Sequence, residues 1–131
     1  MYGPYAEALN FVLQRLEGHF IRGYGDRSIG KDASIRLLPG AREEARAFLQ
    51  NHQETLARFE RVARLIEGLE TPYGMELLAT VHWVAQEDPE PGTNPEAAIR
   101  GVHAWNKHKK MEFRAEHIQI AWDRLHKEAW F

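Results

Sequence analysis

Histidines and carboxylates are the side chains here best suited to chemistry. The chain has seven His and nineteen Asp plus Glu, and no cysteine. Without thiols there is no cysteine nucleophile, no disulfide and no thiolate-bound zinc. A His-based metal site needs two imidazoles on one helical turn with a carboxylate nearby, as in His-Glu-x-x-His. No such pattern occurs, and His117 and His126 stand too far apart to share a small ion directly. His82 falls near the apolar side of its segment, where an interior imidazole is the expectation. Neither a metal nor any other cofactor is expected.

Two further constellations come close to function and then depart from it. Gly25-Asp26-Arg27-Ser28-Ile29-Gly30-Lys31-Asp32 approaches a phosphate-binding loop. That motif requires Ser or Thr after its Lys to hold magnesium, with a strand before it and a helix after. Asp32 occupies the hydroxyl position and would repel phosphate, so an exposed loop is the better account. The carboxylates Glu43, Glu44, Glu54 and Glu60 sit on helix faces turned to solvent, whereas acid–base pairing needs a shared cleft. Gly-x-Ser-x-Gly is absent as well. No catalytic residue is expected, and the chain is not read as an enzyme.

The positioning elements follow from periodicity and punctuation. Leu9, Val12, Leu13 and Leu16 make an apolar helical stripe over 5–16, with Pro4 in the first turn and Gly18 to stop it. Residues 22–33 read as a loop, and a short strand or hairpin is expected at most around 34–38. A helix over 41–50 would turn Ala41, Ala45, Phe48 and Leu49 inward. Another over 53–67 would bury Leu56, Phe59, Val62, Ala63 and Ile66, ending at Gly68. Thr71 can cap a helix that starts at Pro72, and Leu77, Leu78, Val81, Val84 and Ala85 line one side of it.

Residues 86–93, with Pro89, Pro91 and Gly92 among acids, read as a connector. Asn94-Pro95-Glu96 repeats the capping logic and opens a helix to 106 with Ala98, Val102 and Trp105 inward. The last helix, 115–128, carries Ile118, Ala121, Trp122 and Leu125 on its core side. Trp83, Trp105, Trp122 and Trp130 are all expected on or beside inward faces, Trp130-Phe131 closing the core or covering a groove. The fold class is therefore mainly α: a single compact domain of about six helices.

Composition agrees with that reading. With 131 residues, 44% apolar and 27% charged, the chain can bury one core. A net charge of −2 supplies no global field toward phosphate backbones. No apolar run approaches the ~20 residues of a membrane span, and Met1-Tyr2-Gly3-Pro4 does not begin a signal peptide. A cytoplasmic location is expected. One local patch, Lys107-His108-Lys109-Lys110, adjoins the last helices. A helix-turn-helix-like DNA-binding module acting in autoregulation thus stays open as the alternative, although Glu116, Gln119, Asp123 and Lys127 form a mixed reading face.

Three segments carry a family likeness: the run from Tyr2-Gly-Pro-Tyr5 to Leu9, the run from Glu17-Gly-His-Phe to Gly25, and the run from Glu70-Thr-Pro-Tyr73-Gly-Met-Glu76 to Ala85. Together they resemble the C-terminal domain of DarG-type antitoxins, over nearly the whole chain. In that bacterial toxin–antitoxin family a macrodomain removes ADP-ribose from DNA. The C-terminal domain binds the partner toxin, a DNA ADP-ribosyltransferase.

The resemblance implies a toxin-binding module that neutralises by direct contact, by occluding the toxin's single-stranded DNA cleft through partial DNA mimicry. Carboxylates would stand where phosphates lie, and rings where bases stack. Tyr5, His19, Tyr24 and Tyr73 match the family's motifs, with Glu17, Asp26, Glu70 and Glu76 as their acidic neighbours. These eight are the expected toxin-binding residues. Neither membrane nor direct nucleic-acid binding is expected. The macrodomain's Gly-rich loops do not occur in the sequence, and the chain opens inside the Tyr-Gly-Pro-Tyr motif. It reads as an excised fragment, whose uncovered N-terminal face would either drive self-association or be covered by the toxin.

Overall fold

The computed structural model describes residues 4, 6–24, 34–105 and 112–131. Among these residues the protein is mainly α, with seven helices and one two-stranded antiparallel pair. No helix among them is long and apolar enough to cross a membrane. The chain packs as two compact units, Tyr5–Arg58 and Phe59–Phe131.

In the first unit, α1 (Glu7–Leu16) ends where the backbone turns at Gly18, which takes φ +80. The chain then enters β1 (Ile21–Arg22), which pairs with β2 (Arg36–Leu37) in the register Ile21 with Leu37 and Arg22 with Arg36. The expected short strand at 34–38 is thus half of a hairpin-like pair. Helix α2 (Ala41–Leu49) follows.

The inward faces expected for this region are met only in part: Leu13, Leu16 and Leu49 are half-buried. Ala41 and Ile21 are buried, but Phe48 is 67% exposed, and Leu9, Phe11, Val12, Ala45 and Leu37 also face solvent. A unit this small has too little surface of its own to enclose all its apolar stripes.

Helix α3 (Gln53–Ile66) runs across the boundary between the units. Phe59, Val62 and Ala63, expected inside, are exposed; Leu65 enters the core, and Ile66, expected inside, packs against it partly buried. Its last carbonyls are capped from a distance. The Arg124 guanidinium donates to the carbonyls of Arg64 (3.3 Å), Leu65 (2.9 Å) and Glu67 (2.8 Å).

In the second unit the core forms around α4 (Pro72–Glu87). The Thr71 hydroxyl accepts from the Gly74 amide at 3.0 Å, and Pro72 opens the first turn, as the sequence implies. Leu77, Leu78, Val81, Val84 and Ala85 are all buried. They meet α6 (Pro95–Trp105) through Val102 and α7 (Ala115–Lys127) through Ile118, Ala121 and Leu125. Phe113, fully buried, completes this centre.

The expected connector is partly helical. Residues Pro89–Thr93 form a one-turn helix, α5, capped by Asp88, whose carboxylate accepts from the Glu90 amide at 3.0 Å. Proline at a first helical position helps rather than hinders such a turn. Asn94 caps α6 in the same way, accepting from the Glu96 amide at 3.0 Å.

Candidate interaction surfaces

The eight expected contact residues divide between the two units. Tyr5 and Asp26 lie outside the described residues, as do the phosphate-loop-like segment 25–32 and Lys107–Lys110. Glu17, His19 and Tyr24 fall in Tyr5–Arg58; Glu70, Tyr73 and Glu76 fall in Phe59–Phe131.

Glu17 is engaged in its own loop. One carboxylate oxygen accepts from the Gly23 amide at 3.1 Å and the other from the Tyr24 amide at 3.0 Å. The Tyr24 hydroxyl donates in turn to the side-chain carbonyl of Asn10 on α1. His19 is exposed beside this arrangement. The family motif here forms a braced corner, and its acid and phenol are tied to backbone and Asn10.

An apolar groove of about 510 Å³ opens in the same unit, walled by Leu16, Phe20, Ile21, Leu37, Ala41 and Phe48. Glu44 and Ala45 complete its lining. Its rim residues Leu37 and Phe48 are each 67% exposed.

In the second unit Tyr73 is the organised member of its group. Its hydroxyl is 2.7 Å from Nδ1 of His117 and 3.3 Å from the Glu112 carbonyl, and its ring meets Phe113 edge-on. Burial raises its phenol above the ordinary tyrosine value, and the Glu112 carboxylate adds to the rise. Glu70 is exposed and Glu76 half-buried. Tyr73 is therefore a packing and hydrogen-bonding residue, while Glu70 offers its carboxylate to solvent.

Sequence reasoning missed a second recess altogether. Trp83, expected inward, is 47% exposed because the core side of α4 is already filled by Val81, Val84 and Ala85. With Trp105 it walls a cavity of about 450 Å³ between α4, α5 and α6, whose lining includes Glu87, Asp88, Glu90 and Arg100. Trp122, partly buried as expected, donates its indole N–H to the Pro91 carbonyl at 2.7 Å and so fixes one wall. Trp130 packs on the core, edge-on to His82 at 5.8 Å and under the Arg61 guanidinium at 4.5 Å. The only advance signal for the recess is the acidic run Glu87-Asp88-Pro89-Glu90, which reads equally well as a solvated turn.

The Tyr5–Arg58 unit offers an apolar groove; the Phe59–Phe131 unit offers a mixed aromatic and acidic recess, a hydrogen-bonded Tyr73 and the exposed carboxylate of Glu70.

No family model matches the chain. Curated relatives do. The chain is 45% identical over 125 residues to the DNA ADP-ribosyl glycohydrolase of Thermus aquaticus, covering 95% of this chain and 33% of that protein. It is 35% identical over 129 residues to the proteins of the same name from Mycobacterium bovis and Mycobacterium tuberculosis, covering 95% of this chain and 36% of each. The chain thus spans about a third of the length of the curated relatives it matches. The likeness to DarG proteins drawn from the sequence is borne out over almost the whole chain.

Proposed function

We propose that this chain is the toxin-binding part of a DarG-type antitoxin, corresponding to the region outside the glycohydrolase macrodomain. It neutralises a partner DNA ADP-ribosyltransferase by contact and performs no hydrolysis itself. The observation that carries this reading is the apolar groove of the Tyr5–Arg58 unit, with Leu37 and Phe48 exposed in its walls. Exposed apolar area of this kind marks a surface meant to be covered by a macromolecule.

Occlusion of the toxin's DNA cleft is the mechanism we favour. A toxin that modifies single-stranded DNA must grip it with cations and stacking rings. Glu70, exposed beside the start of α4, can meet such a cation, and the half-exposed Trp83 presents a ring face. DNA binding through α7 receives no comparable support. Gln119 on its exposed side already donates to Asp123 at 2.9 Å, and Arg114 ahead of it pairs with Glu116 at 2.8 Å.

Co-purification with the toxin followed by competition with a single-stranded oligonucleotide tests this. A one-to-one complex that excludes the oligonucleotide is the expected result. An oligonucleotide bound alongside the chain rejects occlusion. A toxin left fully active at saturating excess of the chain rejects the antitoxin reading as a whole.

A further inference from the structure

The recess between Trp83 and Trp105 combines three features that one ligand chemistry satisfies together. Its walls carry two indoles, one of them about half exposed. Its acidic groups outnumber its single guanidinium, since Glu87, Asp88 and Glu90 stand against Arg100. Of these, Asp88 caps α5, and Glu90 is held by Arg100 at 3.1 Å. Glu87 has no ion pair or hydrogen bond among the described residues, so its charge is available to a ligand.

The recess is also built into the fold. Gly101 brings α6 so near α4 that a Cβ there would stand 2.5 Å from Cγ1 of Val84, and both residues line the cavity. The Trp122 indole holds Pro91 in the facing wall.

We propose that this cavity is an arginine-receiving pocket, taking a guanidinium side chain presented by a protein partner against Trp83 and Trp105, with Glu87 as its counter-charge. A guanidinium is planar, weakly hydrated and attracted to indole faces, and it pairs with a carboxylate through a fork of donors. Lysine offers a point charge without the flat face. A nucleotide offers a flat face, but its phosphate meets three carboxylates. Arg100 bound to Glu90 shows that the rim already accommodates one guanidinium. The volume of about 450 Å³ leaves room for the backbone that carries a second. That the partner is the toxin rests on the antitoxin reading above; the pocket's chemistry does not.

The test uses the whole chain and needs no toxin. Acetyl-arginine amide is titrated while the indole N–H resonances are followed by NMR, each assigned with a single Trp→Phe variant. Parallel titrations use acetyl-lysine amide, acetyl-citrulline amide and thymidine monophosphate. The Trp83 and Trp105 signals are expected to shift with the arginine probe while that of Trp130, outside the cavity lining, stays fixed. Glu87→Gln should weaken the response about tenfold, with unchanged circular dichroism. Equal shifts from the neutral citrulline probe, a stronger response to the nucleotide, or no response at Trp83 and Trp105 each overturn the proposal. Arginine binding by a chain that fails to inhibit the toxin would leave the pocket standing and remove the antitoxin reading. Inhibition without arginine binding would do the reverse.

Discussion

The Tyr73 hydroxyl and Nδ1 of His117 lie 2.7 Å apart, joining the first turn of α4 to the first turn of α7. Both helices supply the core of the Phe59–Phe131 unit, so this contact ties down the element on which the rest is packed. Tyr73→Phe keeps the ring against Phe113 and removes only the hydroxyl. It should lower unfolding free energy by about 1 kcal/mol in urea denaturation.

The same phenol sets an alkaline limit. Its folded pKa is raised, first by burial and then by Glu112, so the folded state keeps the proton after the unfolded chain has begun to lose it. The unfolded state then binds fewer protons, and stability falls as pH rises. The contribution is fully present below about pH 10, the unfolded value, and is lost as pH climbs through the folded one. Denaturation at pH 9 and pH 11 should show the wild-type chain losing more stability over that interval than Tyr73→Phe. Equal losses would place the alkaline sensitivity elsewhere.

Arg124 closes the end of α3 through three carbonyls. Arg124→Met preserves much of the stem and deletes every donor. A loss of about 2 kcal/mol is expected, with faster amide exchange over the last turn of α3. Arg124→Lys should recover part of it, because an ammonium can serve one or two of the acceptors but not the fork.

Glu17 braces the corner after α1 by accepting from two amides. Glu17→Gln removes the charge and half of the acceptor capacity. Protection of the Gly23 and Tyr24 amides against hydrogen exchange should drop about tenfold, corresponding to about 1.4 kcal/mol. Exchange in α4 and α7 should be unaffected.

Phe48 projects into solvent at the groove's edge. Phe48→Asp should therefore change stability by no more than about 0.5 kcal/mol, while weakening toxin affinity at least about tenfold in calorimetry. Unchanged affinity would take this face out of the interface. Glu70→Lys, at an exposed site, should weaken the same complex without altering the helical circular dichroism signal.

What could be foreseen differed by position along the chain. The α4 helix was legible because its cap, its Pro72 start and its apolar side are local features that one stretch of sequence states together. The stripes on α1, α2 and α3 were equally legible as stripes, but periodicity reports what can be buried and not what is there to bury it. Phe48 and Phe59 carry the same signal as Val81 and end up exposed. Proline and glycine at 89–92 concealed a capped helical turn, since Pro at a first helical position and Pro in a loop look alike. The grip of Tyr73 on His117 and of Arg124 on α3 depends on folding back of distant chain, which no local pattern announces. Trp83 was misread because an aromatic residue in an apolar helix resembles core from either side.

Where Gly101 meets Val84, part of the lining of the tryptophan recess is formed by backbone and a buried valine held in close contact. Such a hollow holds its form before any visitor arrives, so little ordering has to accompany capture. Changes at its lip should therefore alter how long a guest stays far more than how quickly it comes in.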